Sequence, residues 1–206
     1  MPVLAAPPVP AIEFNLSSIG MSKGLAQTTG PQLLARGELA FGALFIGAYA
    51  KNVDSTTSDG EAGALVGVRT KQAGFDLSAG AALKRAIDPA RFTDANALEL
   101  NASLSRKLHR ITVKTSVVWS PDDLGSTGRS LFAEAGAAYR VSSTVSAGAA
   151  FGLRRRTGGQ DYNAWNVGMT WAPLRALSMD LRYYDTDGGA SQPYRARAVL
   201  SARARF

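Results

Sequence analysis

Apolar side chains return at every second position along almost the whole chain, and a period of two leaves little open besides β-strands with two chemically different faces. The closing stretch YRARAVLSARARF shows this most sharply. As one strand, Tyr194, Ala196, Ala198, Leu200, Ala202, Ala204 and Phe206 share one face, and Arg195, Arg197, Arg203 and Arg205 share the other. The same alternation runs through AIEFNLSSIG, with Ile12, Phe14 and Leu16 against Glu13, Asn15 and Ser17. It continues through FDLSAGAALK, ITVKTSVVW, LFAEAGAAYR, VSAGAAFGLR, WNVGMTW and LSMDLRYYD. The segment Leu44 to Lys51 fits two registers, because Phe45 and Tyr49 compete with Ile46 and Ala48 for the apolar face.

Proline cannot donate to a strand ladder, so Pro31, Pro89, Pro121, Pro173 and Pro193 punctuate the pattern. Short turns fall near Gly42, Gly74, Leu108, Ser142 and Pro173. Longer loops rich in Gly, Asp, Ser, Thr and Pro fall between them, at SKGLAQTTGPQ, DSTTSDG, RAIDPARFT, SPDDLGSTG, RTGGQD and DGGASQP. With both ends of the fold on the short-turn side, this spacing predicts an up-and-down meander of about twelve antiparallel strands, an even number that lets the sheet close. The expected fold is all-β, a single barrel over residues 11–206, with the stretch MPVLAAPPVP at residues 1–10 outside it. The loops look too short to fold into a plug or a large lid.

The two faces decide which solvent surrounds the barrel. Arg36, Glu38, Lys114, Glu134, Asp180 and Arg182 fall opposite the large apolar side chains, together with Gly80, Gly136, Gly148, Gly152 and Gly168. A soluble barrel needs bulky apolar residues inside; an interior of glycine, serine and charge belongs to a barrel with lipid outside. Aromatic residues support the same reading. Phe41, Phe75, Tyr139, Trp171 and Phe206 mark the short-turn ends, and Trp119, Trp165, Tyr183 and Tyr194 the long-loop ends, as two interface girdles would. The longest nearly uncharged apolar run, Leu39 to Ala50, is too short for a spanning helix. The chain has no cysteine, which excludes disulfides and thiolate metal sites and fits an outer-membrane setting without requiring it.

Lys and Arg number 23 against 16 for Asp and Glu, a formal charge of +7. Such an excess suits nucleic acid, an anionic surface or an anionic solute. The alternation arbitrates, because it turns Arg36, Lys51, Arg69, Lys84, Lys114, Arg140, Arg154, Arg182, Arg195, Arg197, Arg203 and Arg205 inward. Glu13, Glu38, Asp76, Glu99, Glu134 and Asp180 are the acids that share that face. An arginine-rich lumen concentrates anions, so small anionic solutes are the expected partners and nucleic acid is not. For Arg36, Glu38, Asp180 and Arg182, a role as paired struts weighs equally with solute contact; Arg195 and Arg197 are favoured for contact. The competing function is a non-conducting barrel that acts as an anchor or surface interaction module. Enzyme chemistry finds no footing: His109 is the single histidine, in a short turn, and Asp122 and Asp123 read as solvated or capping residues of the loop after Trp119. No cofactor or metal is expected. Arg154, Arg155 and Arg156 read as a strand top, either a solvated rim or a lipopolysaccharide-facing group.

Several stretches carry a family likeness. Lys23, Gly24, Leu25, Ala26, Gln27, Thr28 and Pro31 are similar to an R-G-x-S-Q-T loop followed by proline, with Lys for Arg and Ala for Ser. Gly42 to Val53, the segment WSPDDLG from Trp119 to Gly125, and the hairpin WNVGMTWAPLRALSMDLRYYDTD complete it. In these, nearly everything after residue 10 resembles the TorF-type porins of proteobacteria. The resemblance implies an outer-membrane barrel of a Gram-negative bacterium, a transport role, and contact with outer-membrane lipid and lipopolysaccharide. The terminal Phe206 resembles the signal by which such barrels engage the barrel-assembly machinery. The chain reads as a mature one, without a signal peptide.

Overall fold

A computed structural model describes residues 7–55, 57–125 and 127–206. The alternating segments form twelve strands: β1 (Val9–Ser17), β2 (Gln32–Phe41), β3 (Leu44–Ser55), β4 (Ser58–Gln72), β5 (Phe75–Ile87) and β6 (Asn96–Leu108), then β7 (Ile111–Asp123), β8 (Gly128–Arg140), β9 (Val145–Arg156), β10 (Tyr162–Leu174), β11 (Leu177–Thr186) and β12 (Arg197–Arg205). Each pairs antiparallel with its neighbours in sequence, and β12 pairs with β1 to close the ring. The all-β, twelve-strand closed barrel is therefore as the alternation predicts.

The short turns lie at the end that carries the chain termini. Three of them use left-handed residues, Gly42 at φ 64°, Ala73 and Gly74 at 52° and 78°, and His109 at 53°. That backbone hand matches the right-handed twist of the strands it joins. Boundaries differ from expectation in three places. β1 begins at Val9, with Val9 opposite Ala40 and Pro10 opposite Leu39, two residues before the expected start; residues 1–6 lie outside the described residues. Pro10 is tolerated because β12 ends before reaching it, so its missing N–H removes no bond on that side. β3 and β4 run to Ser55 and from Ser58, making most of the DSTTSDG stretch strand. β12 begins at Arg197, not at Tyr194.

Burial is inverted relative to a soluble protein. Leu83, Leu181, Val167 and Met169 are 65%, 58%, 55% and 53% exposed, whereas Arg154 is 4% exposed and Ser120 is fully buried. Register also resolves β3. Ile46 opposes Leu39 and Val66 on the outer face, and Phe45 and Tyr49 point inward. Arg85, Arg106, Arg129, Arg155 and Asp185 share the outer face but lie within three residues of a strand end, clear of the apolar band where a cation costs about 2 to 4 kcal/mol.

Candidate functional site

The interior divides into two halves of different chemistry. Toward the termini end, charges sit on the wall as small separate groups. Glu38 accepts from Arg69 Nη1 at 2.5 Å and Nη2 at 2.7 Å and from Arg36 Nη2 at 3.0 Å, while the Arg69 guanidinium lies 3.9 Å above the Phe45 ring. Asp180 accepts from Arg182 at 3.1 Å and from the Thr170 hydroxyl at 2.7 Å, and Arg182 Nη1 also donates to Asn166 at 2.7 Å. Arg203 comes within 3.6 Å of Glu13. Glu134 faces the same space, opposite Ser116 and Gly152. Lys114, Arg140 and Arg205 also face inward, and among the described residues none of them has a carboxylate within 4 Å. Two cavities open between these groups. One, of about 340 Å³, is lined by Glu13, Arg36, Glu38, Arg69 and Arg205; the other, of about 410 Å³, runs from Thr170, Asp180, Arg182 and Arg203 up to Ser17 and Met21 at the long-loop end.

The long-loop half is crossed by chain instead, beside a cavity of about 420 Å³ lined by Ser22, Tyr49, Lys51, Glu61, Lys84 and Glu99 among others. The connection from β1 to β2 folds inward as a small hairpin, Met21–Ser22 against Leu25–Ala26, turning through Lys23 and Gly24 at φ 51° and 83°. The expectation that the loops are too short to fold into a plug or a large lid is corrected for this one, which places a hairpin in the lumen. Lys23 Nζ donates to Glu99 Oε2 at 2.7 Å and Asp123 Oδ2 at 2.8 Å. Lys84 sits 3.3 Å from both carboxylates and 3.9 Å from Glu61, and Lys51 lies 3.4 Å from Glu61. Arg154 Nη2 and the Ser130 hydroxyl also donate to Asp123, at 2.8 and 3.1 Å. Tyr49 completes the group with a 2.5 Å bond to Glu61.

Asp123, read from sequence as a solvated loop residue, is therefore the centre of a buried ionic cluster, with 7% of its side chain exposed. The cause is the irregular register between Gly128 and Ser130, which lets the end of β7 turn its last carboxylate inward beyond Ser120. Asp122 beside it is exposed. The Arg154–Arg156 run splits by parity: Arg154 joins the cluster, Arg155 lies outside within 3.8 Å of Asp161, and Arg156 donates to the Tyr194 hydroxyl. Tyr194 and Arg195 need correction too. Tyr194 belongs to a 3-10 turn, Gln192–Tyr194, with its ring edge-on to Tyr162 at 5.4 Å, so it is no part of an outer girdle. Arg195 bonds the Ala190 carbonyl at 2.7 Å in the exposed loop, and Arg197 bonds the Arg195 carbonyl at 3.0 Å at the rim. Phe41, Phe75, Tyr139 and Trp171 do lie on the outer face toward the termini end, and Trp119, Trp165 and Tyr183 on that face toward the loops. The inward course of Lys23 left one trace in the sequence, the Lys-Gly pair that suits a left-handed hairpin turn.

A closed twelve-strand ring with a polar, charged interior and an apolar outer band is the architecture of an outer-membrane barrel. Among solved structures the fold is similar to the KdgM porin, with a TM-score of 0.65 at 10% identity over 95% of this chain and 99% of that one. It is similar also to the NanC porin, at 0.60 and 8% over 95% and 98%, and to an outer membrane channel from Pseudomonas putida F1, at 0.59 and 14% over 100% and 99%. At these identities the likeness is one of fold. No family model matches the chain, and no curated protein matches it.

Proposed function

We propose that the protein is a channel of the bacterial outer membrane for passive diffusion of small solutes, with a preference for anions. The observation that carries this is that several inward cations, Lys114, Arg140 and Arg205 among them, have no carboxylate within 4 Å among the described residues, with Arg205 lining an arginine-rich cavity of the lumen. Fixed positive charge in a narrow passage with low-dielectric walls raises the local anion concentration, most strongly at low salt. Paired as they are, Arg36, Glu38, Asp180 and Arg182 serve as wall struts, and the unpartnered cations with Arg203 meet the solute. The TorF-type resemblance supports a porin over an enzyme. A further support is that the KdgM porin, of similar fold, was solved in complex with disordered oligogalacturonate, a polyanion. Phe206 would engage the assembly machinery, and the outer band would meet lipid and lipopolysaccharide.

The hairpin across the long-loop mouth favours the second reading, a non-conducting anchor or interaction module. Planar-bilayer recording in a potassium chloride gradient separates the two. A reversal potential on the chloride side is expected, and replacing Lys114, Arg140 and Arg205 together by Gln should lower the chloride-to-potassium permeability ratio by about twofold or more. Cation selectivity, or a ratio untouched by the substitutions, would remove the anion preference; purified barrels that never pass current would establish the non-conducting reading.

A further inference from the structure

The hairpin is tied to the wall at its two ends in different ways. It leaves the wall between β1 and β2, yet its tip reaches β6 and β7, which stand across the ring from that point. Its base is held by backbone bonds and by a contact with the adjacent wall. Gln27 N–H donates to Gly20 O at 2.7 Å, Asp54 N–H donates to Gln27 O at 2.8 Å, and Lys51 Nζ donates to Gln27 Oε1 at 2.7 Å. The tip is held by the two ion pairs of Lys23 and by the Tyr162 hydroxyl, which donates to the Lys23 carbonyl at 2.7 Å. Gly24 lies so close to Ala164 that a Cβ at that position would overlap it.

From this geometry we infer that the hairpin is a lid, hinged at its base around Gly20 and Gln27 and latched at its tip by Lys23. Charge balance favours a latch that can let go. With Lys23 withdrawn, Lys51, Lys84 and Arg154 still face Glu61, Glu99 and Asp123, three cations against three carboxylates, and every carboxylate keeps a cationic neighbour. The wall cluster therefore stands without the lid, and release strands no buried charge. Lys23 itself is 13% exposed in its side chain, enough for salt or a carboxylate-bearing solute arriving at that mouth to compete for its ammonium. The consequence for transport rests on the channel reading; the latch does not.

Hydrogen–deuterium exchange on the full chain in lipid discs tests the latch without requiring conduction, with single-channel recording alongside. In Lys23→Gln, and separately in Glu99→Gln, the amides of residues 20–28 should exchange about tenfold faster than in the wild type, while those of β8 and β10 stay unchanged. The wild type at about 1 M salt should move toward the variants. Faster hairpin exchange with larger or longer currents supports the lid over a channel. Faster exchange in barrels that all remain silent supports the hinged tip and sinks the channel reading instead. If hairpin exchange is the same in wild type and both variants, with unheated barrels migrating as folded, the lid is overturned.

Discussion

Asp123→Asn should lower the stability of the barrel by about 3–5 kcal/mol, the scale on which breaking one side of a buried ion cluster is felt. One carboxylate there accepts from Lys23, Lys84, Arg154 and Ser130. Removing its charge leaves four cations against Glu61 and Glu99, and the amide turns an N–H₂ group toward donors. Asp122→Asn is the control, since Asp122 is exposed and surface changes usually stay within about 0.5 kcal/mol. The urea midpoint of the heat-modifiable folded band measures both. Matching midpoints for the two variants would mean that the cluster contributes nothing to folding.

An arginine placed on the outer band should have the other large effect, and position rather than composition should decide it. Met169 stands near the middle of β10, opposite Ala147 and Leu181 on the outer face, and is 53% exposed to what surrounds the barrel. Met169→Arg is expected to cost about 2 to 4 kcal/mol in lipid. The next residue, Thr170, points inward and donates to Asp180 at 2.7 Å. Thr170→Arg keeps a carboxylate beside the new cation, so its expected cost is below about 1 kcal/mol. Folding yields into lipid vesicles compare the pair directly. A larger loss for Thr170→Arg would mean the strand is turned by one residue, because a slip of one exchanges its faces.

Which parts of this were legible in the sequence follows from how far each signal reaches. Alternation is a property of one strand, so it assigned the faces of β7, β8 and β10 without any knowledge of their neighbours. β3 resisted because its two faces are both rich in large apolar residues. What settles it is cross-strand: Phe45 lies across Gly67 and under the Arg69 guanidinium, and the Tyr49 hydroxyl bonds Glu61. Lys23 and Asp123 meet across 100 positions in the chain, and no local pattern encodes such a pairing. The run from Tyr194 to Ala196 shows the opposite failure. Its alternation continues that of β12, but Pro193 and the contacts of Tyr194 with Tyr162 and Arg156 win it for a turn. The candidate site was thus readable as a charged wall, while the inward loop that divides it was not.

The ring has a single joint between residues far apart in the chain, where β12 meets β1 from Glu13–Arg205 to Ser17–Ser201. Every other ladder is made by segments already adjacent, so eleven of the twelve ladders can zip in order along the chain. The joint extends through Phe206, since Ile12 N–H donates to Phe206 O and Phe206 N–H to Ile12 O, both at 2.9 Å. A chain cut short by its last strand would keep a long, nearly complete sheet but expose two raw edges, in β1 and β11, to lipid that can satisfy neither. Closure of the ring is in this sense a check on the whole sheet: the barrel acquires its lipid-compatible form only once its twelfth strand is in place, and a product lacking that strand announces itself by its unpaired edges.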